Sequence, residues 1–109
     1  MDHARWKTAR TREVLRDEVR ESPAVTAIRL EVQYARALGE AVCERRTALG
    51  LTPSEVARRA NMSQPQFSRI EGGDTVPTLP LLERLARALD SELDIHLAPG
   101  TGATLNFTG

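Results

Sequence analysis

Residues 52–73 read TPSEVARRANMSQPQFSRIEGG, and the fold turns on how that stretch is parsed. Thr52-Pro53-Ser54-Glu55 has the form of a capping box, in which the threonine oxygen takes the glutamate amide and the glutamate side chain returns to the threonine amide. Ser63-Gln64-Pro65-Gln66 repeats that form. Two short helices are therefore predicted, and Asn61-Met62 between them leaves room only for a tight turn, at which Asn61 can take positive φ cheaply. Gly72-Gly73-Asp74 ends the second helix.

The faces of these helices follow from helical spacing. Phe67 and Ile70 are three apart and share one side of the second helix, while Val56, Ala57 and Ala60 give the first a small-residue surface that allows close crossing. The opposite side of the second helix is then Gln64, Pro65, Ser68 and Arg69. Gln can pair both edges of adenine, Arg can do the same to guanine and Ser can bond to either, so this side suits reading the major groove of double-stranded DNA. Ser63 and the amides around it, with Gln66, Arg58 or Arg59, are candidates to hold phosphates. The plainer alternatives remain open at this point: Arg58 and Arg59 as a solvated face, and the helix pair as ordinary packing in an all-α protein.

Outward from this pair, Ser22 can cap and Pro23 open a long helix, in which Ile28, Ala35, Leu38, Val42 and Leu49 recur near helical spacing until Gly50 stops it. Downstream, Thr78 is placed to cap a further helix with Leu81, Leu82, Leu85 and Leu89 as its buried stripe. At Leu93, Ile95 and Leu97 the period becomes two, as in a half-buried strand, and no partner strand is visible in the chain. Such a strand is expected to pair with its copy in a homodimer. Residues 99–109, with Gly, Pro, Thr and no charge, are expected to be disordered.

The 109 residues carry 15 basic and 15 acidic side chains, a balance that argues against nucleic-acid binding until its distribution is considered. Residues 45–69 hold five basic residues against one acidic, whereas residues 70–109 hold two against six. The basic excess therefore coincides with the helix pair. One cysteine, Cys43, excludes an internal disulfide, and with only His3 and His96 beside it no metal or other cofactor is expected. Those histidines form no catalytic constellation, so the chain is not expected to be an enzyme. No run is long and apolar enough to span a membrane and no apolar signal core opens the chain, so the expected location is the cytoplasm.

Several of these residues together resemble a known family. The runs Arg46 to Thr52, Glu55-Val56-Ala57, Ser63-Gln64, Phe67 to Gly73 and Leu81 to Leu89 look like the Cro/C1-type (Xre) helix-turn-helix repressors, over roughly residues 38–90. The resemblance implies a five-helix domain that binds operator DNA as a dimer, with Leu38, Val42, Leu49, Val56, Ala60, Phe67, Ile70, Leu85 and Leu89 as core. It also implies that Arg46 pairs with Glu71. Two departures stand out: Pro53 replaces a Gln that commonly helps hold the DNA backbone, and Pro65 replaces a hydrogen-bonding residue, narrowing base readout to Gln64, Ser68 and Arg69.

The flanks are similar to HigA-type antitoxins, which repress their own operon and neutralise a partner toxin, commonly a ribonuclease. The expectation is thus an all-α protein: a helical arm over residues 1–22, a helix-turn-helix domain over 23–91, a dimerisation strand over 92–98 and a tail over 99–109. The arm buries too little by itself and is assigned to the toxin. A stand-alone transcription regulator and a protein-binding adaptor on the same fold are the alternatives.

Overall fold

The computed structural model describes residues 22–109. The chain divides into two compact units between residues 30 and 31. The described part of the first is the start of helix α1 (Pro23–Ala48), where Ser22 Oγ accepts the Val25 amide at 3.2 Å and Pro23 occupies the first helical position. The expected arm over residues 1–22 lies, apart from Ser22, outside the described residues.

The second unit contains the rest of α1, then α2 (Pro53–Arg59), α3 (Gln64–Glu71), α4 (Leu79–Ala88) and an antiparallel hairpin of β1 (Glu92–Ala98) and β2 (Gly102–Thr108). Among the described residues there are four helices and a small sheet, which corrects the expectation of a five-helix, all-α domain. The same hairpin corrects two further expectations. The strand has a partner in its own chain, and most of the tail is that partner. Leu93 lies opposite Phe107, Ile95 opposite Leu105 and Leu97 opposite Ala103. Ala103, Leu105 and Phe107 alternate with polar residues just as β1 does, so the apolar residues of both strands share one face, and Leu93, Leu105 and Phe107 rest on the core. The glycines that suggested disorder make the turn instead: Gly100 and Gly102 hold φ of 88° and 94°, and Thr101 donates to Ala98 O from both its amide and its hydroxyl.

The core joins Leu38 and Val42 of α1, Val56, Ala57 and Ala60 at α2, Phe67 and Ile70 of α3, and Leu82, Leu85, Ala88 and Leu89 at α4. Leu49 is only partly buried at its edge. α1 crosses the end of α3 backbone to backbone, because Gly39 has no side chain there. A Cβ at Gly39 would stand 2.6 Å from Glu71 O and 2.9 Å from Ile70 O.

Beside that crossing, Arg46 Nε donates to Glu71 Oε2 at 2.6 Å, and its Nη1 donates to Leu51 O at 2.8 Å in the loop leading to α2. One guanidinium thus binds the end of α1, the following loop and the end of α3. The hydrogen bond to Glu71 raises the Arg46 pKa further above its ordinary value.

α2 begins with the full capping box: Glu55 N donates to Thr52 Oγ1 at 3.1 Å and Thr52 N donates to Glu55 Oε1 at 2.7 Å. At α3 only half of the form is present, since Ser63 Oγ accepts the Gln66 amide and Gln66 returns no bond. Thr78 holds the N-cap position of α4 without a side-chain bond.

Two outcomes test this account. The Arg46 and Glu71 side chains are 18% and 16% exposed, closer to a buried pair than to a surface one, so Glu71→Ala should cost about 2–4 kcal/mol in urea unfolding. The backbone and side-chain hydrogen bonds from Thr52 hold the Glu55 pKa below the ordinary carboxylate range. A lowered folded-state pKa stabilises the fold above the unfolded value of about 4.3, and that contribution is lost as the pH falls through the folded value. Glu55→Gln should therefore be less stable than the parent at neutral pH, with the difference closing in strong acid. Melts across that pH range would show it.

Candidate nucleic-acid interface

α3 is held at both ends by local chemistry. Ser63 caps its start, and at its end Gly72 N donates to Ser68 O and Asp74 N to Arg69 O. Phe67 and Ile70 are fully buried, which fixes the helix's rotation about its axis. Gln64, Pro65, Gln66, Ser68 and Arg69 are all exposed as a result. The four positions assigned to base readout, Gln64, Pro65, Ser68 and Arg69, lie on adjacent rows of one surface because i and i+4 are neighbours on a helix. Gln66 flanks them. With Arg69 it borders a small cleft shared with Thr75 and Pro77 of the segment leading into α4 and with Leu81 of α4 itself.

The residues assigned to phosphates divide. Ser63, Arg58 and Gln66 are exposed at or beside the α2–α3 turn. The Gln66 amide is taken by Ser63 Oγ and Pro65 has none, so the amide donors left at this helix start are those of Ser63 and Gln64. Arg59 is directed elsewhere. Its Nη1 donates to Ala88 O at 3.3 Å and lies 3.9 Å from Asp90 Oδ2, at the end of α4. Two neighbouring arginines thus part company because Arg59, one position further round α2, meets the carbonyls that α4 leaves unpaired.

Arg84 lies in the family-like run Leu81 to Leu89 without a role assigned to it, yet it sets the turn between the two helices. Its Nε donates to Ala60 O at 2.9 Å and its Nη2 donates to Asn61 O. These carbonyls close α2, and Asn61 sits between them and α3 with φ of 58°. A positive side chain at a helix C-terminus gains from the helix dipole as well as from the bonds. Arg45 does the same for α4, donating to Leu89 O and Asp90 O at 3.3 Å each. No sequence pattern marks either contact, because each joins residues that only the packed fold brings together.

Known proteins agree with this geometry. The family model described as a helix-turn-helix domain matches residues 37–94. Among solved structures, the restriction-modification controller protein C.AhdI from Aeromonas hydrophila is 29% identical, with a TM-score of 0.52 over 53% of this chain and 88% of that one. The clp gene regulator ClgR from C. glutamicum is also 29% identical, with a TM-score of 0.52 over 53% of this chain and 75% of that one. A search of curated proteins found no match. No described helix is long and apolar enough to cross a membrane.

The Arg84 clamp gives a direct expectation. Arg84→Met keeps the unbranched apolar stem but strands two carbonyls at the turn, and should cost about 1–2 kcal/mol in urea unfolding. Hydrogen exchange at Asn61 and Met62, whose amides bond to Arg58 O and Ala57 O, should quicken more than at the buried Phe67 and Leu85. Equal changes throughout would mean that Arg84 contributes only to global stability.

Proposed function

The chain belongs to the helix-turn-helix domain family, and from that premise we propose that it is a transcription regulator that binds double-stranded DNA as a homodimer. One observation carries the reading: the two buried anchors of α3, Phe67 and Ile70, leave Gln64, Pro65, Ser68 and Arg69 exposed together on the other side. Gln64 and Arg69 supply bidentate readout, Ser68 bonds to either kind of base, and Pro65 offers apolar contact to a thymine methyl. Arg58, Gln66 and the amides of Ser63 and Gln64 hold backbone phosphates. Both solved relatives are described as regulators, one of restriction-modification and one of a clp gene, which supports a regulatory rather than an adaptor role.

Catalysis forms no part of this proposal. Nor does a toxin. The HigA-type likeness would add one, but the arm it assigns to that partner lies almost wholly outside the described residues.

Selection of duplexes from a random pool by the full chain tests the function, since a chain that enriches no sequence is no sequence-specific regulator. On the selected site, Arg69→Ala should lose about 1–3 kcal/mol of binding and relax the preference at one position. Arg58→Ala should weaken all duplexes alike and lower the salt dependence by about one phosphate contact. Half-sites should recur about 34–36 Å apart. Affinity unchanged by both Gln64→Ala and Arg69→Ala would remove α3 as the reading element.

A further inference from the structure

The hairpin is a two-stranded sheet, and a sheet of two strands is marginal in water without support. β2 covers one edge of β1. Along the other edge, no described backbone group bonds to residues 92–97. Beside β1 runs an open groove lined by Leu79, Leu82, Leu93 and Ile95, with Glu83 and Arg87 at its rim. Leu79 is 73% exposed, Leu97 62% and Ile95 41%. Among the described residues, an open strand edge and an uncovered apolar groove lie side by side.

We propose that this edge of β1 pairs antiparallel with β1 of a second copy, forming a four-stranded sheet across a two-fold axis through Ile95. The inference gives the homodimer of the proposed function its interface, and rests on that reading.

Symmetry and charge choose the register. Opposite residues in an antiparallel pair point to the same face, so registers centred on Asp94, Ile95 or His96 all keep Leu93, Ile95 and Leu97 of both copies on one side. Centring on Asp94 sets two aspartates against each other. Centring on His96 opposes two histidines and leaves Asp94 facing Ala98. Centring on Ile95 sets Asp94 of each copy opposite His96 of the other, so that two carboxylates accept from two imidazole N–H groups. It also overlaps the whole of Glu92–Ala98.

The apolar side is equally complementary in that register. Leu97 of one copy lies opposite Leu93 of the other and so reaches the groove that Leu79 and Leu82 line. The most exposed apolar residue of β1 is covered by the groove that its own copy leaves empty.

The test uses the full chain with Cys43→Ala, so that no native thiol competes. Sedimentation at micromolar concentration should show a dimer. Ile95→Cys should cross-link to itself on mild oxidation, because opposed Cα atoms in an antiparallel pair stand about 4.5–5.5 Å apart, within disulfide range. Asp94→Cys and His96→Cys should each fail alone and cross-link when mixed.

His96→Asp sets carboxylates opposite Asp94 at two places and should weaken the dimer about tenfold. The exchange Asp94→His with His96→Asp should restore it, while melting curves confirm that each variant is folded. A dimer in which Ile95→Cys does not cross-link, or in which the exchange fails to restore what His96→Asp removes, overturns this interface and leaves the homodimer standing. A chain that stays monomeric overturns both, and duplex binding, measured separately, is untouched by either result.

Discussion

The domain depends on the meeting of α1 with the end of α3. Gly39 lets the two backbones touch, and Arg46 then spans the junction, holding the Glu71 carboxylate and the Leu51 carbonyl at once. Neither feature works without the other. A side chain at position 39 would push α3 away from Arg46, and without the guanidinium the carboxylate at the end of α3 would be left mostly buried and unpaired, which costs more than the pair contributes. Because α1 is fixed to α3 in this way, the direction in which α3 presents its outer side is set from behind.

Arginine serves this fold chiefly as a helix cap. Of the five basic residues between positions 45 and 69, Arg45 and Arg59 close α4, Arg46 spans the junction, and only Arg58 and Arg69 remain at the exposed α2–α3 surface. Arg84, from the acidic C-terminal segment, closes α2. The charge excess that suggested a basic face is thus mostly spent inside the domain, since short helices present many unpaired carbonyls relative to their length. In the proposed function the phosphate-holding set is correspondingly small, and more of the affinity must come from direct contacts of α3 with the bases.

The hairpin takes up the end of the domain in a different way. Its apolar face is only half used: Leu93, Leu105 and Phe107 pack against the core while Ile95 and Leu97 extend beyond it. Among the described residues these two stay exposed, Ile95 at the open groove beside α4. The proposed pairing of two hairpins resolves this and supplies the symmetry that a two-half-site duplex requires.

Local chemistry was legible in the sequence. Thr52 and Glu55 announce the capping box, Ser63 and the prolines mark helix starts, Asn61 marks a left-handed turn, and the spacing of Phe67 and Ile70 fixes which side of α3 is buried, because each depends on residues within a turn or two of one another. The family likeness supplied Arg46 with Glu71. What only the tertiary structure decided involves residues far apart in the chain. Arg59 turns to α4, Arg84 reaches back to Ala60 and Asn61, and Gly39 accepts α3. The tail that composition marked as disordered becomes β2, because Ala103, Leu105 and Phe107 find β1 and the core beside them. A strand of that composition has no reason to form alone; its hydrogen bonds and its apolar face exist only where the fold provides the other half.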